Sequence, residues 1–149
     1  MFKTNSSQRL ALWRQFRSTI GNLSLDIAIS QTNNFWANCP FTPFYLDPNE
    51  PKNWPNPWEL IEENYYCDLA KSLGRIYTLH LSSHSSVIEP ELRIYLNKIN
   101  RHQYHIAYLC QGKYVLNLIN DQVVNKEHIN QDLNLIRCYT AEDLQLEKY

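Results

Sequence analysis

The stretch WPNPWELIEENYYCDLAKSLGRIYTLHL, residues 54–81, contains the point at which the sequence changes its pattern. Asn56 is suited to cap a helix, and Pro57 is suited to its first helical position. The apolar residues that follow recur at helical spacing, at Ile61, Tyr65, Leu69 and Leu73. The sequence therefore predicts a helix that begins near Asn56, passes through Cys67 at its middle and stops at Gly74.

After Gly74 the apolar residues alternate, which is typical of strands that have one buried face. Five segments show this pattern: RIYTLHL (75–81), LRIYLNK (92–98), QYHIAYL (103–109), KYVLNLI (113–119) and LNLIRCY (133–139). The second half of the chain is therefore predicted to form an antiparallel sheet of four or five strands. Thr140, followed by Glu142 and Asp143, predicts a short closing helix.

Upstream of residue 54 the chain divides into a helical region and a proline-rich region. Residues 7–20 carry apolar side chains at helical spacing, with Ser6 or Ser7 as a cap, and residues 24–36 favour a helix over a strand. Residues 38–57 hold six of the seven prolines, which indicates stiff, irregular backbone. We therefore expect an α+β fold in one domain, 1–149, with a helical N-terminal region over residues 1–37, a loop over 38–57, and a helix plus sheet over 58–149.

Charge and composition exclude several classes of function. Basic residues (14) and acidic residues (15) nearly cancel and form no block, so nucleic acid is not an expected partner. Arginines interrupt the first apolar stretch, and no run approaches a membrane span, so neither a secretory signal nor a membrane association is expected. Only three glycines are present, which excludes glycine-rich phosphate loops, and no cofactor is expected. The four cysteines are widely spaced, which favours reduced thiols.

The turn in LCQGKY decides which side chains share a face of the sheet. A three-residue loop of Cys110, Gln111 and Gly112 would put the glycine where left-handed backbone is needed. Leu109 would then lie opposite Lys113, and His105 would lie opposite Asn117.

Cys67, His105 and Asn117 occur in the order used by thiol enzymes, in which a helical cysteine precedes a histidine and an Asn or Asp on neighbouring strands. Over roughly residues 57–120 this order resembles the core of the transglutaminase-like enzymes. That resemblance implies Cys67 as nucleophile, His105 as base and Asn117 as the orienting group. A cysteine in the middle of a helix is normally inert, however, and we favour a structural thiol unless the helix breaks near Asn64.

Histidine pairs raise the alternative of a metal site. His80 with His84, and His102 with His105, have spacings that suit a helix. Because these segments are predicted as strand and loop, we expect exposed or hydrogen-bonded histidines and no metal site.

Aromatic residues around the proline-rich loop form a candidate interface. They combine large area with little entropy to lose on binding, although they could equally close the core beneath the loop. The candidate binding residues are Phe44, Tyr45, Trp54, Pro55, Pro57 and Trp58.

Residues 35–81 also resemble small proteins of tailed bacteriophages, including those of cyanobacteria, through FW, the proline-rich segment, WPNPWEL and the helix ending LGRIYTL. This resemblance implies a non-enzymatic structural or assembly component of the particle, in its neck, tail or baseplate. Its expected partners are other virion proteins and second copies of itself, and its expected location is the virion, assembled in the host cytoplasm. We favour this interpretation here, with a transglutaminase-like or peptidase-like thiol enzyme as the alternative.

Overall fold

Four helices pack on a four-stranded antiparallel sheet in a computed structural model that describes residues 1–119 and 121–149. The helices are α1 (Ser6–Gly21), α2 (Leu25–Ala37), α3 (Pro57–Glu63) and α4 (Asp68–His80). The strands are β1 (Glu91–Asn97), β2 (Gln103–Leu109), β3 (Tyr114–Leu116) and β4 (Leu133–Thr140), in the spatial order β3-β2-β1-β4. The predicted α+β class is confirmed.

The two N-terminal helices form where the apolar spacing predicts them. Asn5 caps α1 by accepting a hydrogen bond from the Gln8 backbone N–H, a role that the sequence assigned to Ser6 or Ser7. Ser24 precedes α2, whose buried stripe includes Ala28, Ile29 and Trp36. The helical interpretation of residues 24–36 is therefore confirmed.

The segment 54–81 forms two helices, so the prediction of one helix ending at Gly74 is wrong. Asn56 caps α3 as expected and forms a reciprocal capping box with Glu59. The helix then stops because Asn64 adopts left-handed backbone, with φ 59°. Tyr66 pairs instead with Phe41 in an isolated β-bridge, and Cys67 becomes the N-cap of α4.

Helix α4 passes straight through Gly74, so the strand predicted at residues 75–81 is also wrong. A Cβ at Gly74 would lie 2.6 Å from atoms of the Trp36 indole, so the glycine serves close helix packing and does not end the helix. Residues 72–79 are all buried. Tyr77, Leu79 and Leu81 alternate with polar residues, and this alternation is what made the segment resemble a strand.

The turn after β2 differs from the prediction by one residue. Leu109 pairs with Tyr114, so Lys113 belongs to the loop and the expected pairing of Leu109 with Lys113 is wrong. The backbone is left-handed at Cys110, Gln111 and Gly112, which lengthens the turn. Beyond β4, Thr140 and Asp143 exchange hydrogen bonds as predicted, but only a short 3-10 helix, Leu146–Lys148, follows.

Three hydrogen bonds order the proline-rich loop, two of them to the rest of the fold and one within the loop. Tyr139 Oη donates to the Pro48 carbonyl (2.7 Å), Tyr77 Oη to the Pro55 carbonyl (2.9 Å), and Trp54 Nε1 to the Asp47 carbonyl (2.8 Å). The loop is therefore ordered against α4 and β4. Among the helices of the described residues, none has the length and apolarity needed to cross a bilayer.

The hydroxyl of Thr78 joins the three longest helices in the core. Trp13 Nε1 of α1 (3.0 Å) and Trp36 Nε1 of α2 (2.9 Å) both donate to Thr78 Oγ1, which itself donates to the Gly74 carbonyl (2.6 Å). Thr78 and both indoles are almost fully buried. One side chain therefore satisfies two indole N–H groups that water cannot reach.

Replacing Thr78 with valine is expected to lower the free energy of unfolding by about 2–6 kcal/mol, because each buried indole N–H left unpaired costs about 1–3 kcal/mol. Thr78→Ser keeps the hydroxyl and is the matched control, with an expected loss of about 1 kcal/mol for the methyl group. Urea unfolding followed by tryptophan fluorescence measures both. Equal stability of the two variants would contradict the assigned role.

Candidate functional site

A cleft of about 470 Å³ opens where the start of α4 meets β2 and the end of β3. Helix α4 contributes Asp68, Lys71 and Arg75, which follow one another at helical spacing and so share one face. His105 of β2 and Asn117, one residue beyond β3, line the opposite side. Charged and polar side chains from separate segments of the chain therefore converge at a helix N-terminus.

Cys67 is the N-cap of this helix, whereas it was predicted from the sequence to lie in the middle of a helix. Its backbone is extended, with φ −78° and ψ 175°, and its carbonyl accepts the first helical hydrogen bond, from Lys71. Its side chain makes no capping hydrogen bond and is 5% exposed. Its neighbour Asp68 lines the cleft, whereas Cys67 itself does not. The argument that Cys67 is inert because it lies inside a helix is therefore wrong.

The amide of Asn117 connects this helix start to β2. Its Nδ2 lies 3.0 Å from the Asp68 carbonyl, 3.1 Å from Ser72 Oγ and 2.9 Å from the His105 carbonyl. Ser72 Oγ donates to the same His105 carbonyl at 2.6 Å. The Asn117 side chain thus reaches the main chain of His105 and not its ring. The predicted pairing of His105 with Asn117 across the strands is wrong, because the register is shifted by one residue and β3 ends at Leu116.

Backbone geometry explains how Asn117 makes these contacts despite the shifted register. The residue has φ 69°, so it leaves the strand in left-handed conformation, which asparagine tolerates better than most residues. The chain therefore turns at Asn117, and its side chain spans the gap between α4 and β2.

The imidazole of His105 has one nitrogen engaged and one free of protein partners. Nε2 lies 3.2 Å from Oε1 of Gln103, and Nδ1 is buried with no hydrogen-bond partner among the described residues. Burial lowers the pKa of His105, and the carboxylate of Asp68 opposes this effect. The ring is therefore neutral near neutral pH and able to accept a proton.

Arg75 puts a buried positive charge on the wall of the cleft. It is 1% exposed, its Nε donates to Oδ1 of Asn33 (2.8 Å), and one terminal nitrogen donates to the Lys71 carbonyl (3.2 Å). Burial lowers the pKa of Arg75 to about 10, so the group stays charged at neutral pH. Within the described segments of the chain no carboxylate forms an ion pair with it.

Cys39 and His102 also lie close to the cleft. The charges of Lys71, Arg75 and Asp68 act on the Cys39 thiol, but this thiol is buried, and burial raises its pKa to about 11. Cys138 is exposed on β4. His84 contacts the Ile20 carbonyl, and His102 packs edge-on against Tyr104. In residues 1–119 and 121–149, no three His, Cys, Asp or Glu side chains are grouped so that they could hold a metal.

The candidate interface residues of the proline-rich segment differ in how far they pack against the rest of the domain. Trp54 packs edge-on against Tyr139, Trp58 does so against Tyr149, and Pro55 and Pro57 are buried. Tyr45 is half-buried beside Tyr65, while Phe44 is 97% exposed. Most of these side chains therefore close the surface of the domain itself, and their role in binding a partner stays a prediction.

Several residues of the cleft were not identified from the sequence. Arg75 was missed because it lay in a predicted strand, and Asp68 and Ser72 belong to no motif that would single them out. Gln103 could have been found, since it lies two residues before His105 on the same side of a predicted strand.

Comparison with known proteins identifies the fold. Neither a protein-family model nor a curated protein sequence matches the chain. Among solved structures, calcium-bound LapG of Legionella pneumophila superposes with a TM-score of 0.72 at 12% identity, over 94% of this chain and 78% of that chain. A second LapG structure gives 0.69 at 12% identity, over 91% and 75%. Because these structures superpose over most of both chains, the chain shares the fold of LapG. LapG is a transglutaminase-like cysteine protease.

This finding corrects the interpretation of the chain as a bacteriophage particle component. The matching structures are of a bacterial cysteine protease and not of virion proteins, and nothing supports the resemblance to phage proteins. The faint resemblance to the transglutaminase-like core agrees with the fold. At 12% identity the likeness establishes the fold alone.

Removing the Asn117 side chain is expected to loosen the contact between α4 and β2. Asn117→Gly keeps the left-handed backbone and isolates the lost hydrogen bonds, so we expect about 1–3 kcal/mol lower stability in urea unfolding. Asn117→Ala should cost about 1 kcal/mol more, because alanine strains the backbone at φ 69°. Wild-type stability of Asn117→Gly would show that these contacts are not made in solution.

Proposed function

We propose that the protein is a thiol enzyme of transglutaminase-like or peptidase-like type, with Cys67 as nucleophile and His105 as general base. One observation carries the proposal: Cys67 begins a helix whose first turn is tied, through the Asn117 amide, to the main chain of His105. Asn117 acts as a positioning residue that holds the two elements together. The shared fold with LapG supports the same assignment.

The start of α4 suits a thiolate. The N-terminus of a helix carries a partial positive charge and free N–H groups, both of which favour an anion there. The buried guanidinium of Arg75, two turns further along the same helix, adds a fixed positive charge to this end of the cleft. The carboxylate of Asp68 acts in the opposite direction on the thiol and favours the imidazolium form of His105.

The reaction follows from these groups. Nδ1 of His105 takes the proton of the Cys67 thiol, and the thiolate attacks an amide carbonyl carbon of the substrate. The imidazolium then gives this proton to the departing amine as the C–N bond breaks, which leaves a thioester on Cys67. Water or a second amine attacks the thioester, His105 accepts the proton of that nucleophile, and the thiol is restored.

For this chemistry the thiol of Cys67 must reach Nδ1 of His105. Hydrogen bonds of catalytic groups are often long or poorly aligned before substrate binds, and they tighten in the complex. Because Cys67 is 5% exposed, the substrate must also open a path to the sulfur. No hydrogen bond joins the Cys67 thiol to His105 among the described residues, so the proposal requires a motion that brings the thiol within reach of Nδ1.

The calcium named in one LapG structure does not transfer to this chain. Calcium takes about six to eight oxygen ligands, with carboxylates prominent among them. The described residues contain no group of three acidic, histidine or cysteine side chains able to hold a metal. The residues described do not fit such an ion, and no step depends on one.

The alkylation rate of each cysteine with iodoacetamide, measured peptide by peptide against pH, tests the nucleophile. We expect Cys67 to react faster than Cys39 at neutral pH, because Cys67 stands at a helix N-terminus, whereas burial raises the pKa of the Cys39 thiol to about 11. His105→Ala should slow the reaction of Cys67 at neutral pH by about tenfold or more.

Two internal controls come with the same measurement. Cys39 is a buried thiol with a raised pKa and should react only on unfolding. Cys138 is exposed and should react in the folded protein, but slowly, because partial burial and the Glu91 carboxylate raise the pKa of its thiol. If Cys67 behaves like Cys39, and reacts only in denaturant, the proposed function fails.

A further inference from the structure

The ring of His105 is held by a neighbour on its own strand. Gln103 and His105 both belong to β2 and lie two residues apart, so their side chains leave the same face of the sheet. Nε2 of His105 is 3.2 Å from Oε1 of Gln103. Because a carbonyl oxygen only accepts, this contact requires the hydrogen of the neutral ring to be on Nε2.

The other ring nitrogen then has the properties of a base. With the hydrogen on Nε2, Nδ1 carries a lone pair, and it is buried with no hydrogen-bond partner in the described segments of the chain. This unprotonated nitrogen is the one that could receive a proton from a thiol. The site therefore contains one oriented nitrogen and one vacant acceptor.

Asn117 is not placed to orient the imidazole of His105. Its Nδ2 lies against the carbonyls of Asp68 and His105 and the hydroxyl of Ser72, and no contact of its amide with the imidazole is present. In the usual form of a thiol triad, a third side chain accepts the hydrogen of the imidazole nitrogen that does not face the thiol. Here the group in that position is an amide two residues before the histidine.

We infer that Gln103 is the positioning residue that orients the His105 ring and fixes its Nε2–H tautomer, so that Nδ1 is available to take the thiol proton. This inference rests on the proposed function for its chemical purpose. The tautomer itself is a property of the folded protein and exists whether or not the protein acts on a substrate. The two ideas can therefore be tested separately.

Other charged groups face the same ring and must be considered with it. Asp68 of α4 favours the protonated ring, and His102, just before β2, disfavours it. Lys71, Arg75 and Asp121 line the rest of the cleft. None of these groups is placed to select between the two nitrogens as a direct partner of Nε2 does, so the effect of Gln103 on the tautomer should be distinct from their effect on the pKa.

The test is the ring nitrogen spectrum of the full protein labelled with nitrogen-15 histidine, recorded by NMR from about pH 5 to pH 9, which brackets the usual range of histidine titration. His105→Ala identifies the His105 signals among the five histidines. In the wild type we expect protonated Nε2 and unprotonated Nδ1 at the basic end of this range. In Gln103→Ala we expect a mixture of both tautomers, and in Gln103→Glu the wild-type tautomer with a raised pKa of His105, because a carboxylate favours the imidazolium.

Cys67 alkylation at neutral pH provides the chemical readout in the same variants. We expect Gln103→Ala to slow it by about tenfold, in the range found when a group that orients a functional histidine is removed. Gln103→Glu should restore most of the rate, which a purely structural role of Gln103 would not predict. Gln131→Ala, an exposed glutamine before β4, is the matched control and should change neither the tautomer nor the rate.

The outcomes separate the two proposals. A wild-type ring with its hydrogen on Nδ1, or unchanged tautomer populations in Gln103→Ala, would overturn the role of Gln103 even if Cys67 is highly reactive. An unreactive Cys67 in a protein whose tautomer does respond to Gln103 would overturn the thiol enzyme and leave the ring contact standing.

Discussion

The architecture depends on the shared hydroxyl of Thr78. Both indole donors would be unsatisfied without it, and they come from the two helices that pack against α4 on this face. This contact fixes α4 in rotation, because Thr78 and Gly74 must face the indoles together, one turn apart. With that face committed to α1 and α2, Ser72 turns toward β2, and Lys71 and Arg75 turn toward the cleft. The polar site is thus a consequence of the way the apolar helices pack.

The helix break determines the chemistry available to Cys67. In a continuous helix its sulfur would lie among side chains with every nearby N–H already bonded. Three residues of non-helical chain, from Asn64 to Tyr66, place the same cysteine at the positive end of a new helix. The break is stabilised from both sides, since the Asn64 amide donates to the Phe2 carbonyl and the Thr42 N–H donates to the Tyr66 carbonyl.

The sequence predicted the elements of the fold whose period is visible. The first two helices, four of the five proposed strands and the cap at Asn56 were recovered, because their apolar spacing or capping residue is clear in the sequence. Residues 75–81 were misread because apolar and polar side chains alternate there as they do in a strand. The break at Asn64 could not be predicted, since it depends on a pairing with Phe41 that lies far away in the chain. His105 and Asn117 were found from their order in the chain alone. Because the turn differs by one residue, the sequence did not predict that the Asn117 amide contacts the main-chain carbonyl of His105.

The position of β4 has a consequence for the motions of the protein. This strand lies at the edge of the sheet, pairs only with β1, and exposes most of its side chains. The residues of the candidate site belong instead to α4, β2 and the turn after β3, on the other side of β1 from this edge. Segments with few buried contacts open at lower free energy than the core does. Amide hydrogens of β4 should therefore exchange with solvent through local openings that leave α4 docked on β2, so that one edge of the sheet can fray while the cleft keeps its shape.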